Sequence, residues 1–131
     1  YNAADTTYTT IPAKREVTVR DLLTQTSGID YAQIGSPKMT AIYAKAGVVG
    51  GIGVDKILLA DKMKILGSMP LIHQPGEKWT YGLNTDLLGY LIEVISGQSL
   101  DAFFRQRIFE PLGMRDTYFY LPAAKRARLA T

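Results

Sequence analysis

Pro75-Gly76-Glu77-Lys78-Trp79-Thr80-Tyr81-Gly82-Leu83-Asn84-Thr85-Asp86-Leu87-Leu88-Gly89-Tyr90 decides how the rest of the chain is read. Pro75-Gly76 is a turn signal. Asn84 suits an N-cap, because its side-chain oxygen can accept from a free N–H of the first helical turn. Beyond it, Leu87, Leu88, Leu91, Ile92 and Ile95 recur at spacings of three and four, the pattern of one buried helical face. Tyr81 and the single tryptophan, Trp79, therefore fall in a short segment held between a turn and a helix. Such a segment suits a side chain that must be aimed. On composition and spacing alone, the plainer reading of both rings is as core aromatics.

The 131 residues suffice for one domain with a modest core. We read 1–131 as a single helical subdomain with an irregular, Thr-rich lead-in over 1–16. The chain starts with Tyr1 and shows no signal-peptide pattern, so it reads as a piece of a longer protein. Hydrophobic residues make up 47% and charged residues 21%, an ordinary balance for a globular domain. No apolar run approaches the roughly 20 residues that span a bilayer. The net charge of +3 is matched by the cluster Lys125-Arg126-Ala127-Arg128. Without a basic stripe elsewhere, the electrostatic footprint of a nucleic-acid binder is missing. The absence of cysteine excludes disulfides and thiolate metal sites and leaves both redox compartment and localisation open. His73, the single histidine, reads as an exposed loop residue and builds no metal centre alone. We expect neither metal nor cofactor.

Working outward, helical period dominates. Thr18-Val19-Arg20-Asp21 resembles a capping box with Asp21 in place of Glu. It opens a helix to about Gln25, which Thr26-Ser27-Gly28 ends through a left-handed Gly28. Pro37 begins a second helix that buries Met39, Ile42 and Tyr43, and Gly47 stops it. Gly47–Gly53 reads as a flexible surface segment, since no Gly-Lys-Ser/Thr follows to make a phosphate loop. A third helix opens near Asp55 and closes before Pro70. Gly97 ends the Asn84 helix, and Ser99 caps another with Leu100, Phe103, Phe104 and Ile108 on one side. Helices are expected near 19–25, 38–46, 56–67, 85–96 and 99–108. Thr117–Leu121 reads as a short strand and Ala123–Leu129 as helical.

Acyl-group chemistry needs an activated nucleophile, a base and an oxyanion hole. None of Ser27, Ser36, Ser68, Ser96 and Ser99 has a lysine three residues on, and none lies in Gly-x-Ser-x-Gly. Glu77 with Asp86, and Glu93 with Asp101, read as solvated surface carboxylates. The residues themselves offer Tyr81 as a catalytic candidate and no nucleophile.

Four blocks then resemble one family in order: Val17–Gly28, Pro75–Tyr81 as Pro-Gly-x-x-Trp-x-Tyr, Leu88–Gly97, and Ile108–Thr117. This is the serine β-lactamase-related family, which holds class C β-lactamases, penicillin-binding-protein-like peptidases and related esterases. The resemblance implies the helical subdomain of a β-lactamase/transpeptidase-like α/β serine hydrolase. It implies a serine from Ser-x-x-Lys that forms an acyl-enzyme, and a tyrosine, here Tyr81, that shares the proton transfers. A phenol is a poor base at its free pKa of about 10, and a neighbouring lysine favours its phenolate. The β-lactamase branch usually has Tyr-x-Asn. This chain carries Leu83 there and Asn84 one place on, so both are candidate substrate contacts. The form Tyr-Gly-Leu-x-x-Asp looks more like the esterase and acyltransferase side. Gln25 stands where the family often has His, a position read as structural. The expectation is part of an acyl-enzyme esterase acting on a small ester or amide. The alternatives are a β-lactamase or D-alanyl peptidase, and a non-catalytic binding protein on the same fold. The chain alone is expected to be inactive.

Overall fold

Thr18 starts the first helix by a capping box: its hydroxyl accepts from Asp21 N–H while the Asp21 carboxylate accepts from Thr18 N–H. A computed structural model describes residues 1–50 and 57–129. Helix α1 is Val19–Leu23. Two turns shorter than a typical helix, it ends where Gln25 takes a left-handed backbone, φ 57°. That conformation was expected at Gly28. Gly28 is left-handed too, φ 88°, and there a Cβ would meet the His73 carbonyl at 2.5 Å.

Helix α2, Pro37–Ala46, has Pro37 in its first turn and Ser36 as N-cap, with the Ser36 hydroxyl accepting from Met39 N–H. It buries Met39, Ile42 and Tyr43 as expected, and a left-handed Gly47 ends it. The Gly47–Gly53 segment and the Asp55 start fall largely outside the described residues. Helix α3 is Leu59–Leu66, shorter than the expected 56–67, since Leu58 is extended. Helix α4 is Asn84–Ser96 and α5 is Leu100–Phe104, continued by a π turn over Arg105–Phe109. Ala123–Arg128 forms a 3-10 turn. No strand occurs among the described residues, so the expected strand at Thr117–Leu121 gives way to bends. Tyr118 Oη donates to the Arg115 carbonyl there, a local turn contact in place of a ladder. The molecule is helical, as its periodicity implied, and no single described helix is long and apolar enough to cross a membrane.

The chain divides into two compact units, Tyr1–Tyr90 and Leu91–Thr131. The core of the first is Leu22, Ile29, Tyr31, Met39, Ile42, Tyr43, Val48, Met63, Leu66 and Leu83. Leu87, Leu88 and Tyr90 of α4 pack against it. Leu91 and Ile92 are also partly buried, whereas Ile95, the last residue of the expected stripe, is 77% exposed. In the second unit Phe104 makes edge contacts with Phe109 and Phe119.

Candidate active site

The segment that carries Tyr81 is tied along its length to the loop after α1. Ile72 N–H donates to Gly28 O, Gly76 N–H to Thr26 O and Thr80 N–H to Gln25 O, each at 2.8 Å. Leu83 N–H reaches Asp30 O at 3.3 Å. Between the last two, Gly82 lies so close to the Ile29 carbonyl that a side chain there would collide with backbone. Glycine is what permits this approach. Two irregular strands of chain are thus held side by side by ordinary peptide hydrogen bonds.

Side chains complete the clamp. Gln25 Oε1 accepts from Gly82 N–H at 3.2 Å and from Asn84 Nδ2 at 2.7 Å. Asn84 Oδ1 accepts from the Ser27 hydroxyl at 2.5 Å, and Ser27 Oγ in turn accepts from Ile29 N–H at 3.0 Å. Ser27, Leu83 and Asn84 are all fully buried. Among the described residues no buried side-chain nitrogen or oxygen lacks a hydrogen-bond partner, as burial demands. Asn84, the first residue of α4, therefore directs its amide to Ser27 and Gln25. The expected N-cap contact gives way to this network, and the Leu83 carbonyl accepts the first helical bond from Leu87 N–H.

His73 braces the other side. Its Nδ1 meets the Gln74 carbonyl and its Nε2 meets the Thr80 hydroxyl, each at 2.9 Å. A carbonyl can only accept, so Nδ1 carries the proton and, in the neutral ring, Nε2 accepts from Thr80. His73 is half-buried and engaged at both nitrogens, where an exposed loop residue was expected. The Arg15 guanidinium forks onto the buried Asp21 carboxylate at 2.6 and 2.8 Å and so fastens the lead-in to α1. These hydrogen bonds hold Asp21 well below the ordinary carboxylate range, Arg15 contributing most and Thr18 next.

Against this fixed frame Tyr81 points outward. It is 52% exposed, and Trp79 is 65% exposed. One face of the Tyr81 ring lies on Tyr31, centroids 5.6 Å apart and planes within 6°. Trp79 stacks near it at 6.4 Å and 26°. Such offset aromatic contacts fix ring orientation and add about 0.5–1.5 kcal/mol beyond area burial. Tyr31 is buried, and burial, then the charge of Asp86, then Tyr81 push its phenol above the usual range. Asp86 is itself half-buried, and burial raises its carboxyl. The solvated-surface reading fails for Asp86 because the first turn of α4 packs inward.

Sequence reasoning placed Tyr81, Leu83 and Asn84 together, and the structure keeps them adjacent with different surroundings. The phenol is outside, while Leu83 and the Asn84 amide are inside. Tyr31, Ser27, Asp30 and the hydrogen-bonding role of Gln25 were missed. They lie in an irregular loop without periodicity, where the Gly28 and Gly35 turn signals alone mark structure. A groove of about 740 Å³ in the same unit, lined by Tyr8, Ile11, Met39, Leu71 and His73 among others, does not include Tyr81.

The Beta-lactamase family model matches residues 6–131. The chain is 37% identical over 103 residues to "Esterase EstB" of Burkholderia gladioli, covering 79% of this chain and 26% of that protein. It is 36% identical over 123 residues to "Lovastatin esterase" of Penicillium rubens, covering 90% of this chain and 28% of the relative. Among solved structures it resembles "EstCE1, a hydrolase with promiscuous acyltransferase activity", at 28% identity and a TM-score of 0.74, over 83% of this chain and 28% of that one. The chain spans about 29% of the length of the curated relatives it matches over most of its own length.

Proposed function

Because the chain belongs to the Beta-lactamase family, we propose that it is part of a serine hydrolase that acts on a small ester through an acyl-enzyme, with Tyr81 as its proton-transfer residue. The observation that carries this reading is the contrast at residues 80–84. Thr80 and Gly82 are pinned by hydrogen bonds and Leu83 and Asn84 are buried, while the Tyr81 side chain stays exposed at the surface of the frame. Pre-positioning of this kind is what proton transfer needs.

In the proposed reaction the parent's serine hydroxyl gives its proton to the Tyr81 phenolate as its oxygen adds to the ester carbonyl. The collapse of the tetrahedral intermediate expels an alkoxide, which takes that proton from the Tyr81 phenol. A water then repeats the sequence on the acyl-serine, or an alcohol does so in acyl transfer. The serine and its lysine are assigned to the parent beyond these residues, and the lysine's charge would favour the phenolate. Leu83 and Asn84, first considered as substrate contacts, are assigned the support of the Tyr81 bend. The names of the relatives favour esters over β-lactams or D-alanyl peptides.

The test is Tyr81→Phe in the full-length protein, assayed on a 4-nitrophenyl ester. The ring still stacks on Tyr31, so the fold should persist, while kcat falls about 10²- to 10⁴-fold with little change in KM. A variant within a few-fold of wild-type kcat would remove Tyr81 from the chemistry.

A further inference from the structure

Gln25 holds both chain neighbours of Tyr81. Its carbonyl accepts the N–H of Thr80, and its side-chain Oε1 accepts the N–H of Gly82. These two N–H groups belong to the peptide planes before Thr80 and after Tyr81, so they bracket the stretch of backbone from which the phenol projects. The same Oε1 receives Asn84 Nδ2, and Nε2 points to Thr85 Oγ1 at 3.4 Å, so one amide also reaches the first turn of α4. Asn84 then passes the restraint to buried Ser27 and to Ile29 N–H. Gln25 can do this because it sits immediately past α1 with φ 57°, a backbone few non-glycine residues adopt.

From this bracket we infer that Gln25 is a positioning residue for the Tyr81 phenol, a role that rests on the proton-transfer reading of Tyr81. A purely structural brace would affect how often the protein is folded. A positioning residue affects what the folded protein does. Removing the Oε1 acceptor frees Gly82 N–H and the Asn84 amide together, and the bend can then relax by a fraction of an ångström without unfolding. Displacements of about 1 Å at a reacting group cost about 10²-fold in rate.

The experiment uses the full-length protein and 4-nitrophenyl butyrate. Gln25→Met keeps the length and removes the acceptor. It should lower kcat about 10- to 100-fold, with KM within about threefold and an unchanged circular dichroism spectrum. Gln25→Asn, which tolerates a left-handed backbone but is one methylene too short, should do the same and serves if the Met variant fails to fold. Gln25→Glu keeps the acceptor and offers its second oxygen to the Thr85 hydroxyl. It should restore kcat to within about fivefold at its own pH optimum. In a Tyr81→Phe background, Gln25→Met should cost less than about threefold more, because the group it positions is gone. The inference is overturned by wild-type kcat in a folded Met or Asn variant, by failure of Glu to restore activity, or by an equal loss in the Phe background. Tyr81→Phe within a few-fold of wild type would instead bring down the reading beneath it, an outcome read from that single variant alone.

Discussion

The two units of this chain, Tyr1–Tyr90 and Leu91–Thr131, differ in how their side chains find partners. In the first, Tyr43, Met39, Leu83, Val48, Asn84 and Ser27 are almost wholly removed from solvent. Distant segments meet there, as Ser27 meets Asn84 and Asn84 meets Gln25. In the second, no described residue is buried, and the contacts span shorter stretches of chain. Ser96 bonds back to Ile92, Glu93 accepts from Leu100 N–H, and Asp116 pairs with Lys125 and Arg128. The difference teaches where precision comes from. A phenol can be aimed from the first unit because its frame is made of buried, long-range and fully paired contacts. The described residues of the second unit form helix and turn without a buried residue to anchor them.

The sharpest separation should come from one large aromatic in each. Tyr43 is 1% exposed, and burial pushes its phenol up to about 12. Tyr43→Ala should cost about 3–5 kcal/mol, the range for emptying a buried aromatic site. Phe104, only partly buried, touches Phe103, Phe109 and Phe119. Phe104→Leu keeps most of its bulk and should cost only about 0.5–1.5 kcal/mol, the worth of the lost aromatic geometry. Residue-resolved hydrogen exchange checks both. Loss of protection in α2 should follow Tyr43→Ala, while Phe104→Leu should act mainly on amides of α5. Equal costs for the two changes would erase the contrast.

A smaller effect belongs to Gly82. A methyl there meets the Ile29 backbone, which has no rotamer to swing aside. Gly82→Ala should therefore destabilise by about 1–3 kcal/mol, as overpacking does. It should also alter Trp79 fluorescence, since Trp79 stacks on Tyr81. The corresponding change at Gly97, where a Cβ meets nothing within 4 Å, has only its left-handed backbone to oppose it. A Gly97→Ala variant that is worse than Gly82→Ala would show that backbone conformation outweighs close approach here.

These residues also mark what was legible in the sequence. The helices were, because Met39, Ile42 and Tyr43, or Leu87 and Leu88, repeat with helical period between signals such as Pro37 and Gly47. The capping box at Thr18 was legible for the same reason: its donors and acceptors are three residues apart. Tyr81 stood out through a resemblance in Pro-Gly-x-x-Trp-x-Tyr. The frame behind it was hidden. Gln25 and Gly82, or Ser27 and Asn84, are each 57 residues apart, and no local pattern announces which distant partner a Gln or Ser will find. Ile95 at the end of α4 was misread because periodicity reports an apolar face without reporting whether anything covers it.

The smallest effect should come from an exposed ion pair set beside a buried one, and acid is the way to see it. Asp21 in the first unit and Asp116 in the second are both held below the ordinary carboxylate range. Asp21 owes this chiefly to Arg15 and then to Thr18, and Asp116 to Lys125 and then to Arg128. In the unfolded chain both carboxyls take up protons near pH ~4. A carboxylate with a depressed folded-state pKa contributes stability that is complete above that pH. The contribution is lost as the pH falls from there through the folded-state pKa. The two should nevertheless differ in size. The Asp21 carboxylate is 6% exposed and gripped at both oxygens, so water and salt screen it little. That of Asp116 is 51% exposed, and its partners are long side chains in solvent. Exposed pairs of this sort contribute little and are weakened by salt. Melting temperatures of wild type, Asp21→Asn and Asp116→Asn between pH 7 and pH 2 would compare them. Asp21→Asn should flatten most of the acid loss below pH ~4, and its effect should persist at high salt. Asp116→Asn should track wild type closely, with any difference at neutral pH gone in about 0.5 M NaCl, where screening acts within a few ångströms. An Asp116→Asn profile as flat as that of Asp21→Asn would mean that the second unit holds its charges as tightly as the first, and the contrast between them would rest on apolar packing alone.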